Sequence, residues 1–568
     1  MKSTTADPSA PLRDDNKKDS RSDTRDVSDL DKGLPGHTED MPGEAGLSST
    51  APQFVQGMGL FSATAIVMGS MIGSGIFIVS AEMSRGLGSP ALLIAAWLVT
   101  ALMTIIGALS YGELAAMMPK AGGQYVYLRE ALGPLWGFLY GWTLFLVIQT
   151  GTIAAVGVAF GKFLGVFFPS VSASNWIWHI GHVPPWHVGP MVLGNMDIGL
   201  NTANLAAIVV ITLLTVLNTM GVKMGAAVQN VFTSAKVLAL AAVVLVGLVA
   251  KNSVAIAANF SSGWHNFWAG AGWDTLHAVQ VGVGGPTVYV GLLTMVAVVQ
   301  VGSLFSSDAW NNVTFTAGEI KNPKRNLPLS LAIGTGVVLL LYVLCNFVYL
   351  SVLPMVGDPA ATTIVGRGIQ FASEDRVATA VMEQAGSSFG AAGFGAKLMA
   401  AVILISTFGC VNGMLLAGAR VYYAMSRDGL FFKSVGKLSE RAGHPGQGTP
   451  VNSLWMQWGW TCLLCLSGSY GQLLDYVIFA VLVFYILTIM GLFVLRRTRP
   501  EAVRPYRAFG YPVLPGLYIV MAGWISVVLL RYKPQYTWPG LLIVLLGIPV
   551  YLVWTRMAAG AKQEQEQF

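Results

Sequence analysis

Long apolar runs alternate with short polar, glycine- or proline-containing breaks from about residue 55 to residue 556. A helix needs about 20 mostly apolar residues to cross about 30 Å of hydrocarbon. Runs of that order occur at 55–82, 90–118, 124–168, 203–221, 226–250, 287–318, 327–353, 396–426, 451–468, 473–495, 513–531 and 538–556. The pattern predicts an all-α integral membrane protein with twelve transmembrane helices. The third run is longer than a span needs, and Gly151, Gly157 and Gly161 within it permit close helix packing or bending.

Two runs are interrupted in mid-membrane. The first holds "GSMIGSGIF", Gly69 to Phe77, and the sixth holds "QVGSLFSSDAWNN", Gln300 to Asn312. Glycine is costly in a helix interior and serine competes for backbone bonds, so both stretches are expected to unwind. Unwound backbone at membrane depth is tolerated only where it is buried in protein or lines a watery cavity. Breaks at equivalent positions of two five-helix halves point to an inverted-repeat transporter with its ligand between them. A half-helix that begins at a break offers amide N–H groups and a positive dipole end to a carboxylate. Carbonyls freed where the other half-helix stops suit an ammonium group. A zwitterion matches both better than a sugar or a lone ion does. Close packing in a small-residue seam accounts equally well for either break alone; the pair favours a site.

Composition narrows the class. Only 11% of residues are charged and 54% are hydrophobic, with a mean hydropathy of +0.60. Soluble domains carry about 25% charged residues, so a soluble multidomain protein is excluded. Residues 1–50 hold seven Lys/Arg and eleven Asp/Glu, net −4, whereas the remaining 518 hold 27 and 17, net +10. The first 50 residues have no apolar run and are expected to form a disordered cytoplasmic tail. They lack the apolar core of a secretory signal, which makes the first hydrophobic segment a permanent span. Basic residues fall in short loops rather than on one continuous face, which argues against nucleic-acid binding.

Those loops set the orientation. Lys120 and Arg129, Lys223, Lys321 to Arg325, Arg427 to Arg441 and Arg496 to Arg507 fall on one side, while Phe163 to Val222 has no Lys or Arg. By the positive-inside rule both termini are assigned to the cytoplasm of a cell that carries the protein in its plasma or inner membrane. Lys251, Arg367, Arg376, Arg531 and Lys533 are the outer exceptions. Trp176, Trp178 and Trp186 in the outer loop 169–202 read as interfacial anchors, and His179, His182 and His187 beside them as solvated histidines rather than a zinc site.

Little else carries chemistry. Cys345, Cys410, Cys462 and Cys465 lie in apolar segments, and the Cys462/Cys465 CxxC has no partner pair, so a small-hydrophobe role is expected. "GVGG" at Gly282 lacks the strand and helix of a phosphate site. No metal motif, nucleophile–base pair or cofactor fingerprint is found, so neither enzyme activity nor a cofactor is expected.

At the two breaks the sequence resembles the amino acid–polyamine–organocation superfamily, and within it the L-amino acid transporter branch. The resemblance covers roughly residues 55 to 500. It rests on GSMIGSGIF, on "GSPALLIAAWLVTALMTIIGALSYGELAAMMPKAGGQYVYLREALGPLWGFLYGW" from Gly88, on "LFSSDAWNNVTFTAGEIKNPKRNLPLSL" from Leu304 and on "ISTFGCVNGMLLAGARVYYAMSRDGL" from Ile405. It implies a LeuT-like fold, a five-plus-five inverted repeat with broken helices 1 and 6, working by alternating access. The domains follow: a ten-helix core at 51–500, helices 11 and 12 at 501–556 and a cytoplasmic tail at 557–568. By motif position, backbone N–H groups around Gly73, Ser74 and Gly75 would meet the substrate carboxylate. Carbonyls near Met71, Phe305, Ser306 and Asp308 would meet its amino group. Phe305 matches the family's aromatic gate with Trp310 beside it, and Asn311 and Asn412 match polar positions lining the cavity.

Lys236 stands in an apolar fifth span, where an ammonium group costs several kcal/mol unless it finds carbonyls or water. The resemblance implies that Lys236 replaces sodium as a fixed positive group against the first helix; a snorkelling lysine is the plainer reading. Asp308 stands where most neutral-amino-acid members carry a small residue. It is expected to recognise a cationic side chain, to cap the second half of helix six, or to titrate and couple protons. Glu113, near the cytoplasmic end of span two, is expected to have a structural or gating role. Eukaryotic light-chain members bond to a glycoprotein through a cysteine between spans three and four. Phe163 to Val222 contains none, so no disulfide-linked heavy-chain partner is expected. The leading expectation is a sodium-independent exchanger or facilitator of L-amino acids, neutral ones and, should Asp308 recognise a cationic side chain, cationic ones. A proton-coupled symporter of amino acids or amines comes next, and a non-transporting amino-acid sensor after it.

Overall fold

The computed structural model describes residues 53–566 except 185, 189–190, 194–195, 262–263, 282–284, 392, 442–443 and 467–469. The N-terminal 50 residues and the GVGG centre at Gly282 therefore lie outside the described residues. The first span is α1 (Leu60–Met71), a 3-10 turn (Gly75–Phe77) and α2 (Ser80–Leu87), followed by α3 (Pro90–Met117). Next come α4 (Gln124–Leu132), α5 (Pro134–Thr143), a π-helical turn (Leu144–Ile148) and α6 (Gln149–Leu164). Then follow α7 (Thr202–Thr219), α8 (Val222–Val249), α9 (Ser253–Phe260) and α10 (His265–Trp268). The sixth span is α11 (Leu292–Ser306) with α12 (Asn312–Phe315), and α13 (Pro323–Val352) is the seventh. Short α14 (Ile364–Arg367) and α15 (Val377–Ser388) precede α16 (Phe394–Arg427), α17 (Val451–Leu466), α18 (Tyr470–Thr498), α19 (Val513–Tyr532) and α20 (Pro534–Glu566).

Among the described residues nine helices are long and apolar enough to cross a membrane. Of the other three expected spans, the two broken segments hold the shorter apolar helices α1 and α11, and the 16-residue α17 lies at the third. Proline opens α3, α5 and α13, where its missing N–H has no intrahelical partner to lose. The third span is shorter than the sequence implies. Gly133, with φ of 106°, ends α4, and the membrane-length helix starts only at Pro134. Gly157 and Gly161 let α6 close on α7, since a Cβ there would meet Ile211 and the Ala203 backbone. Helix α20 runs past the expected end at 556 to Glu566.

The loops add what helical periodicity does not foresee. Strand β1 (Trp176–Val183) pairs with β4 (Met196–Asn201), and β2 (Trp186–Val188) with β3 (Met191–Leu193). Strands β5 (His277–Gln280) and β6 (Thr287–Val290) form a second antiparallel hairpin, and β7 (Ser439–Arg441) pairs with β8 (His444–Thr449).

Helices α3 and α8 divide their faces by exposure. Leu98, Leu102 and Ile105 on α3 are exposed, as are Val231, Leu238 and Leu245 on α8, all at helical spacing, which leaves an apolar surface to lipid. The opposite face of α8 buries Gln229, Thr233, Lys236 and Leu240 at the same spacing.

The packing repeats after five spans. α1 packs on α8 and α13, and its counterpart α11 packs on α18 and α3. α8 meets α16 as α18 meets α6, and α6 meets α7 as α16 meets α17. The pairs α3–α13 and α6–α16 map onto themselves. A two-fold relation between spans one to five and six to ten produces this set of contacts, as the expected inverted repeat requires.

One end of the bundle is closed by ion pairs. Arg420 Nε and Nη2 donate to Glu319 at 3.0 Å each, with side-chain exposures of 1% and 2%. Glu113 accepts from Arg496 at 2.9 and 2.6 Å and from the Ala508 N–H at 2.7 Å, with Arg504 Nε 3.3 Å away. Arg129 and Tyr125 both reach Asp428, and Lys321 N–H donates to the Met58 carbonyl at 2.8 Å. Removing one partner of a buried pair strands the other charge, at about 3–5 kcal/mol. We therefore expect Arg420→Met to lower thermal stability in detergent, followed by tryptophan fluorescence, and Glu319→Leu with Arg420→Met to recover most of the loss. Equal losses in the single and double variants would show that the pair does not hold this end together.

Candidate functional site

Helix α1 stops at Met71, and four neighbouring carbonyls are taken up by side chains from two other helices. Lys236 Nζ on α8 donates to Gly69 O at 2.6 Å, to Ile72 O at 2.8 Å and to Ser406 O at 3.1 Å. Ser406 Oγ on α16 donates to Ile72 O at 3.0 Å and to Gly73 O at 3.1 Å. Cys410 Sγ reaches Ser70 O at 3.2 Å. One turn earlier, Gln229 and Thr233 both donate to Ala65 O. Lys236 is 1% exposed. Its ammonium thus replaces water with backbone oxygens, and the snorkelling alternative does not describe it. Gly69 makes the approach possible, because a Cβ there would overlap the side chains of Gln229 and Thr233.

Helix α11 stops at Ser306, five residues short of α12. Ala309 takes φ of 63°, left-handed for a residue with a Cβ, which marks strain at the break. Asp308 Oδ1 accepts the Tyr485 hydroxyl at 2.6 Å. The N-cap of α12 is Asn311, without a side-chain cap. Asn311 instead donates to Gln124 at 2.7 Å, and Gln124 donates to Thr488 and Phe484 on α18. Trp310 is buried with ring centroids 4.8 Å from Tyr111 and 5.2 Å from Tyr485.

The two breaks touch. A Cβ at Gly75 would lie 2.9 Å from Ser306 Cβ and 3.0 Å from its Cα, so only glycine fits. Tyr342 on α13 donates its hydroxyl to both Met71 O and Ser306 O, 3.1 Å from each. Between the breaks is a small cavity of ≈ 20 Å³, lined among others by Met71, Gly73, Ser74, Gly75, Phe305, Ser306 and Asp308. Phe305 also lines a cavity of ≈ 670 Å³. That chamber is ringed by Glu82, Arg85, Lys162, Glu374 and Asp375 and lies toward the loops with few basic residues. Phe305 is therefore shared by the small cavity and the wide one. Arg85–Asp375 at 2.6 Å and Lys162–Glu374 at 3.5 Å cross the chamber's rim, all four side chains being partly exposed.

Of the residues singled out in the sequence, Met71, Gly73, Ser74, Gly75, Phe305, Ser306 and Asp308 are brought together around one cavity. Asn311 lines the next cavity, which shares Asp308. Asn412 sits elsewhere. It bonds Gln229, Gly225 O and Asn218, joining α16 to α8 and α7, and is not among the residues lining either cavity. Lys236 stands behind α1 and does not line the cavity. Glu113 lies in the ion-paired end.

Sequence reasoning missed Tyr342, Ser406, Gln229, Thr233 and Tyr485. The signal was present for some of them. Gln229, Thr233 and Lys236 form an i, i+4, i+7 polar stripe on an apolar helix. Tyr342, Asn346 and Tyr349 form another on α13, where Asn346 accepts from Ser80 at 2.7 Å and Tyr349 donates to Ile76 O at 3.3 Å.

With this geometry in place, similarity to known proteins is informative. A family described as amino acid permease matches residues 58–555. The large neutral amino acids transporter small subunit 2 of Oryctolagus cuniculus is 28% identical over 526 residues, 91% of this chain and 83% of its own. The serine/threonine exchanger SteT of Bacillus subtilis (strain 168) is 28% identical over 496 residues, 87% and 95% of the two chains. The human b(0,+)-type amino acid transporter 1 is 27% identical over 540 residues, 94% and 95%. All three are amino acid transporters aligned over nearly the whole molecule, and the match includes both breaks. The chain belongs to the amino acid permease family, on its L-amino acid transporter branch.

Proposed function

We propose that the protein carries L-amino acids across a cell membrane by alternating access, as an exchanger or facilitator that needs no sodium. The observation that carries the reading is the small cavity between two broken helices, with a carbonyl-rich end of α1, the start of the following 3-10 turn and Asp308 on its wall. Backbone amides around Ser74 and Gly75 receive the substrate carboxylate, and carbonyls of Met71, Phe305 and Ser306 its ammonium. Met71 O already accepts from the Gly73 N–H at 2.9 Å as well as from Tyr342, so the ammonium displaces one of these there, whereas Ser306 O accepts from Tyr342 and keeps a second lone pair. Lys236 supports sodium independence: its ammonium occupies the carbonyl cluster of Gly69, Ile72 and Ser406, so a second cation there would meet a like charge.

Transport exchanges the present arrangement, with a chamber open beyond Phe305 and ion pairs closing the other end, for one in which the chamber shuts and Arg420–Glu319 parts. Residues 51–500 form the moving core, with helices 11 and 12 beside it. The end with the basic loops faces the cytoplasm of a plasma or inner membrane. The four cysteines lie within helices, and Phe163 to Val222 contains none, which favours a carrier without a disulfide-linked partner. One observation favours a second reading, coupling to protons: Asp308 is a carboxylate at the site whose nearest partner, Tyr485, is neutral.

Proteoliposome assays test these statements. Counterflow of labelled leucine is expected to be the same in sodium and in choline. Stimulation by sodium would remove the role given to Lys236, and Lys236→Ala is expected to reduce uptake at least about tenfold. Asp308→Gly is expected to weaken arginine or lysine uptake relative to leucine by about tenfold or more, the factor that follows from about 1.4 kcal/mol of a lost charged hydrogen bond. An unchanged ratio would rule out cation recognition. Leucine uptake driven by an inward proton gradient without internal substrate would favour the symport reading over exchange.

A further inference from the structure

Asp308 is already occupied before any substrate arrives. Its Oδ1 accepts the Tyr485 hydroxyl at 2.6 Å, and Tyr485 is held in place by Trp310 and Tyr111, with ring centroids at 5.2 and 5.7 Å. Asp308 lines three separate small cavities of ≈ 20 Å³ each, and Tyr485 lines two of them. The third cavity, behind the break, is also lined by Ser307, 1% exposed, whose Oγ has no hydrogen-bond partner. A carboxylate beside these cavities, with one neutral side-chain donor on it, has accepting capacity left over.

We propose that the Tyr485 hydroxyl is a built-in competitor for the Asp308 carboxylate, which makes Tyr485 a specificity-determining residue. The inference rests on the reading of the cavity as the amino-acid site. An aliphatic side chain offers no donor, so Tyr485 keeps its bond and the anion beside the substrate stays partly neutralised. A guanidinium or ammonium end forms a charge-assisted bond that exceeds a phenol's; it displaces the hydroxyl and takes the carboxylate. One pocket then accepts both classes, because the protein supplies the missing donor whenever the substrate does not. Without the hydroxyl, a neutral substrate would face a bare carboxylate in a site that excludes water, and only a cationic one would satisfy it.

The test uses the full chain in proteoliposomes. Tyr485→Phe is expected to raise the arginine-to-leucine ratio of kcat/KM about tenfold, mainly through KM, and the increase is expected to vanish when Asp308→Asn is added. A ratio that stays constant or falls, or one that rises equally in the Asp308→Asn background, overturns the proposal. A second measurement keeps the side chain. With 3-fluorotyrosine at position 485, the fluorine resonance is expected to shift on saturation with arginine and not with leucine; no difference between the two overturns it. The two levels of inference separate cleanly. If Asp308→Asn alone moves arginine and leucine together, the assignment of the site fails. If it separates them and Tyr485→Phe does not, only the competitor is wrong.

Discussion

The structure depends on one requirement, that backbone oxygens released at the end of α1 find donors where water is scarce. A buried polar group without a partner costs about 1–3 kcal/mol, and the Gly69, Ser70, Met71, Ile72 and Gly73 carbonyls all receive side-chain donors. Left unmet together, they would cost an amount comparable with the whole stability of a domain, about 5–15 kcal/mol. Lys236, Tyr342, Ser406 and Cys410 are therefore not decoration around a binding site. They are the condition under which the helix can remain broken, and because they come from α8, α13 and α16 they also fix those helices around it.

How much of this is legible in the sequence follows from the range of each interaction. The spans, both breaks and the odd lysine are local signals, since apolar length, a run of glycine and serine and a charge in a hydrophobic helix need no knowledge of neighbours. The polar stripes at Gln229, Thr233 and Lys236 and at Tyr342, Asn346 and Tyr349 are legible too, once helical spacing is applied to polar residues as well as to apolar ones. What cannot be read is which stripe meets which carbonyl. Ser406 and Ile72 are 334 positions apart, and Tyr485 and Asp308 are 177 apart. Asn412 illustrates the limit. A polar residue one or two turns from a site looks alike whether it faces the cavity or, as here, a second set of amides. The hairpin β1–β4 escapes for another reason: its strand β1 has almost no buried face, so it carries no alternation to detect.

The two breaks are matched in position but opposite in charge. Span one ends against a fixed cation, Lys236, which does not line the cavity. Span six opens beside a fixed anion, Asp308, which does. The cation acts through backbone carbonyls and so stabilises geometry, while the anion lines the cavity and, on the proposed reading, would meet the substrate directly. This division would let a lysine one helix away from the cavity matter for transport, and would confine the effect of the neighbouring tyrosine to selectivity.

The closed and open ends of the bundle differ in what holds them. Arg420 and Glu319 are shut away from water and share two hydrogen bonds, whereas Arg85–Asp375 and Lys162–Glu374 at the chamber rim are partly exposed. Exposed pairs are worth about 0–1 kcal/mol each. A buried pair parts cheaply only if water enters as it separates, because otherwise each charge is stranded at a cost of several kcal/mol. Opening that end is thus inseparable from hydrating it, and a thermal fluctuation too small to admit water does not begin it. The structure accordingly has the chamber open and the ion-paired end shut. Inverting a 1:99 balance takes about 5.5 kcal/mol of differential binding, so the substrate has to bind more tightly to the arrangement in which its cavity is sealed on both sides than to this one. Phe305, the residue shared by the chamber and the small cavity, is where that extra contact is available.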